Sequence, residues 1–325
     1  MRTSLASGYR VISERTRCVV SNEGAEQLPP NVHQFMDIAT PLAELTRGVF
    51  DFAHRHVATT GGEPLPGSRA LAEADDASSQ FPKGCRNELL RARQTAVGIY
   101  LCSVEYLVSA FARLLVPDME IFGFQIVARS VVELSAKAWW LIDGLAQPQM
   151  RLGRLFLDEF NNLSERAKVG RLLEGDQEVI AQERAKIIER AAECDMAPVL
   201  DRNNREVIGF GAARQVNSTT LVGSFLAAIG NSQGELLYRT FSAIVHGTSY
   251  GLLDFFQLGD IPGSDFKYLT PYLPVESVVQ ASVLVTQSYL GVVQVDTQHV
   301  GGDFVSVADA RRDVFTHMTA LIPSA

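Results

Sequence analysis

Cysteine is scarce and unpaired in this chain. Cys18, Cys85, Cys102 and Cys194 are scattered over 325 residues without any CxxC spacing. That argues against a zinc ribbon or a disulfide framework, and the four thiols read as reduced side chains of a cytoplasmic protein. Neither a phosphate-binding Gly-Lys-Ser loop nor a nucleophile elbow is present, and Gly209-Phe210-Gly211 lacks the third glycine and the preceding strand of a dinucleotide fold. A di-iron bundle would need a Glu-x-x-His pair on each of two helices, and no such pair occurs. Positive charge is in deficit, with 29 lysines and arginines against 37 acids and a net charge of −8. An acidic surface does not attract phosphate backbones at long range, so general duplex DNA binding is not expected; a small site holding a few arginines can still grip one phosphate. No apolar run of signal-peptide type opens the chain, because Arg10, Glu14, Arg15 and Arg17 interrupt it.

What is present is a globular composition, 46% hydrophobic and 20% charged, long enough to bury a sizeable core. Residues 1–32 show no periodicity and end in Pro29-Pro30, which reads as a leader or peripheral arm. Residues 33–325 read as one helical domain, with a four-helix core over 87–256 and further helices over 257–325. Phe35, Ile38, Leu42, Leu45, Val49 and Phe52 recur in steps of three and four, one face of a helix that contains Pro41. A glycine- and proline-bearing loop follows over 58–85, with room for a short helical turn inside it. Helices are then predicted over 87–115, 118–145, 151–174 and 176–194, the last two with alternating charges suited to a solvated pair. Residues 195–217 read as irregular and 218–229 as a short helix. Ser232 with Glu235 forms a capping box that opens a helix running to about 256. After a loop rich in Gly and Pro come helices over 276–296 and, opened by Ser306 and Asp309, to about 321.

The stretch 277–295 carries no charge and is nearly long enough to span a bilayer. Gln280, Gln287 and Gln294 recur every seven residues, however, and three amides in hydrocarbon would be costly. The segment therefore reads as a helix buried in a bundle, and no membrane span is expected. The fold class predicted is all-α, a multi-helix bundle with a peripheral N-terminal arm.

Two helix faces could carry chemistry. Gln125, Arg129, Glu133 and Lys137, spaced by four, stack into one stripe on a helix that is otherwise apolar nearly all round. On the helix opened by Ser232, the residues Glu235, Arg239, Ser242, His246, Ser249 and Tyr250 share one arc at helical spacing. Arg239 and His246 are two turns apart and point the same way. An arginine can hold a phosphate through two parallel hydrogen bonds, and an imidazole titrates near neutrality and can move a proton. The plainer alternative is a half-buried histidine satisfied by a hydroxyl, with Arg239 paired to Glu133 or Glu235.

The segment Tyr238-Arg239-Thr240-Phe241-Ser242-Ala243-Ile244-Val245-His246-Gly247 resembles the signature of the HEPN superfamily, an arginine followed on the same helix by a histidine. Arg129-Ser130-Val131-Val132-Glu133 with Trp139-Trp140 is similar to the arginine–glutamate helix of related bacterial helical proteins. Many members of that superfamily are metal-independent RNases, often toxins or defence effectors, with a site commonly shared across a homodimer. The resemblance implies that Arg239 binds the scissile phosphate of RNA and His246 assists proton transfer at the ribose oxygens. Arg129, Glu133, Ser242 and Tyr250 would bind substrate or support the site. Asp296 with His299, Asp313 with His317, and Asp51 with His54 and His56 are the remaining ligand-type groupings, and no metal or other cofactor is expected. The competing reading is a non-catalytic helical bundle that binds a small anionic ligand or a protein partner.

Overall fold

The computed structural model describes residues 30–59, 64–80, 85–115, 123–143, 145–172, 177–203, 205–231, 233–246, 248, 256–260, 267–271 and 274–321. Its helices are α1 (Pro30–Thr59), α2 (Arg69–Gln80), α3 (Cys85–Thr95), α4 (Cys102–Leu114), α5 (Gly123–Ile142), α6 (Pro148–Leu172), α7 (Gln177–Glu193), α8 (Ser218–Ala228), α9 (Gly234–Val245), α10 (Val275–Val300) and α11 (Phe304–Thr319). A π-helical turn, Ala96–Leu101, joins α3 to α4 in one continuous rod. The chain is thus predominantly helical, a bundle of the class its periodicity predicts.

α10 lies at the centre because it is apolar on nearly every side. Val278, Val279, Leu284, Val285, Tyr289, Leu290, Val292 and Val293 are all buried, and α1, α5 and α11 pack around it. Its amide stripe has a specific partner. Gln287 accepts from Arg311 Nε of α11 at 2.8 Å and donates to the Arg311 carbonyl at 2.9 Å, while Gln294 accepts from Arg311 Nη1 at 3.3 Å. Gln280, by contrast, is exposed. Among the described residues, Cys85–Leu114 and Val275–Val300 are long and apolar enough to cross a membrane by length and composition, and 78% of the apolar window of the second is buried within the bundle.

The boundaries follow local chemistry. Pro148 begins α6, where its missing N–H costs nothing. Asn217 caps α8 by accepting from Thr220 N at 2.8 Å. α10 ends at Gly301 in the left-handed region (φ 83°), which a side chain would strain. The final helix starts earlier than Ser306 and Asp309 suggest: Asp303 is its cap and accepts from Ser306 N at 3.1 Å.

Four stretches depart from the sequence reading. The loop predicted over 58–85, with a short helical turn at most, contains the 12-residue α2, held by the buried Ala70 and Ala74. The irregular segment 195–217 contains a small antiparallel sheet of β1 (Pro198–Leu200), β2 (Val207–Phe210) and β3 (Ala213–Arg214), in that order, with Val199 opposite Gly209 and Phe210 opposite Ala213. Strands this short carry no alternation to read. The helix expected to reach 256 stops at Val245, and Phe256 opens β4 (Phe256–Asp260), which pairs with β5 (Lys267–Pro271) in a hairpin. His246 has left helical geometry (φ −81°, ψ 3°), with glycines following in the sequence at 247 and 251 that weaken any continuation. Ser232, the expected cap, and most of the expected N-terminal arm lie outside the described residues.

The β1–β3 sheet packs on α6, with Phe210 against Phe156 and Phe160. A Cβ added at Gly153 of α6 would sit 2.5 Å from the Phe210 carbonyl oxygen and 2.8 Å from Ala213 Cβ. Glycine is what lets helix and sheet approach this closely.

Candidate functional site

The four residues of the α5 stripe meet three different surroundings. Gln125 is fully buried, and neither of its amide atoms has a hydrogen-bond partner among the described residues. Lys137, at the other end, sits over the Tyr100 ring at 5.4 Å from its centroid. Between them, Arg129 and Glu133 face α9, which packs directly on α5.

There the two helices build one connected group. Glu133 Oε1 accepts from Arg129 Nε at 2.9 Å and from the Tyr238 hydroxyl at 2.7 Å. Arg129 Nη1 then reaches His246 Nε2 at 3.4 Å. A guanidinium has no acceptor, so a hydrogen bond in this arrangement needs Nε2 as the acceptor and the ring proton on Nδ1. The two ends differ in burial. Tyr238 is 2% exposed, the Arg129 and Glu133 side chains are 18% and 29% exposed, and His246 is open to solvent at the end of α9. Burial and the adjacent Glu133 carboxylate push the Tyr238 phenol above its ordinary pKa, so it stays protonated as a donor, while a hydrogen bond with Ser242 works the other way. Ser242 also supplies the carbonyl that accepts from His246 N at 3.0 Å, tying the histidine to the last turn of the helix.

Arg239 is not part of this group. Its Nη2 and Nε donate to Glu235 Oε1 at 2.7 and 3.0 Å on an exposed stretch of α9, one of the two pairings the sequence allowed. Arg239 and His246 do share a side of the helix, but seven residues separate them, about 10 Å of helical rise. Tyr250 lies outside the described residues. Sequence reasoning overlooked Tyr238, although it stands one turn before Ser242 and two before His246. A tyrosine on an apolar arc is a core residue whose hydroxyl needs a partner, and that hydroxyl was the available signal.

The other ionisable groupings resolve into structural contacts. Arg93 makes a two-pronged pair with Asp296, Nε to Oδ1 at 2.9 Å and Nη2 to Oδ2 at 3.1 Å, with both side chains buried. Tyr100 donates to Asp158 at 2.7 Å, and Asn162 donates to the same carboxylate at 3.2 Å. His54 lies 3.4 Å from Glu105, and His317 Nδ1 bonds the Asp313 carbonyl at 2.7 Å. Among the described residues no three His, Cys, Asp or Glu side chains converge as a metal-binding set. A groove of about 580 Å³ lies between α1, α10 and α11, lined by Leu45, Val49, Phe52, Val314 and Leu321 and away from the Arg129–His246 group.

Chemically, the α5–α9 group presents a guanidinium and an imidazole nitrogen side by side at a solvent-facing rim. Behind them the half-buried Glu133 carboxylate holds the guanidinium and is itself held by the buried Tyr238 phenol. An anion could dock on the open side of Arg129, and a proton could leave for Nε2 of His246. No protein-family model matches the chain, and neither the curated proteins nor the solved structures contain a match to it.

Proposed function

We propose that the Arg129–His246 rim is the active site of a HEPN-like, metal-independent ribonuclease. The supporting observation is the 3.4 Å approach of Arg129 Nη1 to His246 Nε2, with Glu133 and Tyr238 holding the arginine from behind. In this reading the substrate phosphate takes over Arg129 Nη1, which frees the lone pair of His246 Nε2 to take the proton of a ribose 2′-hydroxyl. The freed oxygen attacks the adjacent phosphorus and the bond to the 5′-oxygen breaks. The imidazolium returns its proton to that leaving oxygen, giving a 2′,3′-cyclic phosphate and a 5′-hydroxyl. Arg129 stabilises the charge that grows on the non-bridging oxygens, and no metal enters the step. Arg239 is placed to meet a neighbouring phosphate of the same strand. On this reading the protein acts in the cytoplasm as a homodimer and needs no cofactor.

A labelled single-stranded RNA incubated with the protein in EDTA tests it. Cleavage to cyclic-phosphate ends is expected from the wild type and loss of cleavage from His246→Ala. Equal cleavage by both, or none by the wild type, overturns the proposal.

A second reading is favoured by one feature, the use of Arg129 Nε by Glu133: a rim that binds a small anion or RNA and does no chemistry. It predicts RNA retained on a filter at low salt and recovered intact.

A further inference from the structure

At the junction of α2, α3, α5, α6 and α10 lies a cavity of about 10 Å³, lined by Glu73, Leu89, Arg93, Leu141, Arg151 and His299. That is room for a single water-sized particle. Two of the lining side chains are more than nine-tenths buried and carry a polar atom without a partner: Arg151 Nη1 and His299 Nδ1. Leaving a buried donor unmet is costly, and more so when the donor is charged.

We propose that this cavity is a site for one small hydrogen-bond acceptor, an ordered water or a halide ion, held between Arg151 Nη1 and His299 Nδ1. The chemistry of the lining sets the class of ligand. Arg151 can only donate, so the occupant must accept. Arg151 pairs with Glu73 through Nη2, and Arg69 donates to the same carboxylate at 2.6 Å, which leaves Nη1 of Arg151 directed elsewhere. A metal cation is opposed by Arg93 and Arg151, and any ligand with more than one non-hydrogen atom by the volume. The imidazole suits either occupant. Burial, reinforced by Arg151, Arg69 and Arg93 and opposed by Glu73, lowers the His299 pKa to about 4, so the ring is neutral at physiological pH. A neutral ring with its proton on Nδ1 donates to water or halide, and the other tautomer accepts from water only. The particle would complete the polar contacts where α2, α6 and α10 meet, independently of the α5–α9 rim.

Crystals of the full chain, one set native and one soaked in sodium bromide, test this. One isolated peak within hydrogen-bond distance of Arg151 Nη1 and His299 Nδ1 is expected. A bromine anomalous signal there assigns a halide, and its absence with a full oxygen peak assigns water; either supports the site. An empty cavity, or Arg151 Nη1 bonded to a protein atom, overturns it. His299→Leu, which fills the space and removes one contact, is expected to lose the peak. Its retention at full occupancy would overturn the role given to His299, and should the variant fail to fold, the wild-type crystals decide alone.

Discussion

Arg129 and His246 stand 117 residues apart in the chain, yet a guanidinium nitrogen of one lies 3.4 Å from an imidazole nitrogen of the other. The contact moves the arginine partner of His246 from its own helix to the helix packed against it. Arg239, which has the motif spacing, is engaged by Glu235 in solvent.

That difference separates the two arginines experimentally. Under the ribonuclease reading, Arg129→Ala and His246→Ala should each lower the cleavage rate by roughly 10²–10⁴-fold, the range of a positioned catalytic group. Arg239→Ala should weaken RNA binding and its salt dependence while leaving the single-turnover rate within a few-fold. Single-turnover cleavage with end-labelled RNA checks all three, and a larger defect in Arg239→Ala than in Arg129→Ala would return the role to the motif arginine.

Tyr238 holds Glu133 from the protein interior, so Tyr238→Phe removes one hydrogen bond to a charged acceptor without changing the packing. A loss of about 1.5–3 kcal/mol in folding stability is expected. Urea unfolding followed by circular dichroism measures it, with the slope of the transition unchanged.

The buried Arg93–Asp296 pair links the α3 rod to the central helix. Removing one partner leaves a charge in the core, so Arg93→Met should cost about 3–5 kcal/mol, whereas Arg93→Met with Asp296→Leu should recover most of it. The double-mutant cycle in urea reads the coupling directly.

His299 makes stability depend on acidity. Its folded pKa, about 4, is below the ordinary 6.5, so between those values the unfolded chain binds a proton that the folded chain refuses. The contribution is complete above pH 6.5 and is lost as pH falls toward 4, a difference of the order of 3 kcal/mol. Comparing urea midpoints at pH 7 and pH 4.5, His299→Gln should lose less stability on acidification than the wild type does.

At Gly153 even one methyl group collides with the Phe210 carbonyl and Ala213 Cβ. Gly153→Ala should lower stability by about 1–3 kcal/mol, and Gly153→Val by more. Thermal unfolding checks the order.

Long helices with apolar periodicity were legible in the sequence, because α1, α5 and α10 each repeat buried side chains over many turns. The glutamine stripe correctly marked α10 as a helix with a polar edge, but nothing in the sequence named Arg311 as what that edge holds. The short strands escaped because β1, β2 and β3 are only two to four residues long, and the 256–271 hairpin escaped because its glycines and prolines read as loop. For the site, each helix revealed its own ionic arc. Which members of the two arcs would meet depended on the packing of α9 on α5, a tertiary fact that spacing within one helix does not contain. The same limit hid Tyr238, whose partner Glu133 is on the other helix.

The wide turn at Ala96–Leu101 has one further implication, for the length of the chain. A π turn accommodates one residue more than an α turn while leaving the helical faces on either side in register. Glu105 of α4 accepts from the Tyr289 hydroxyl at 2.9 Å. Deleting a single residue inside the turn would tighten it and leave Arg93 toward Asp296 and Glu105 toward Tyr289. The same deletion elsewhere in the rod would swivel one half by about 100° and break one of those pairings. Natural variation in the length of this rod should therefore be concentrated at that turn.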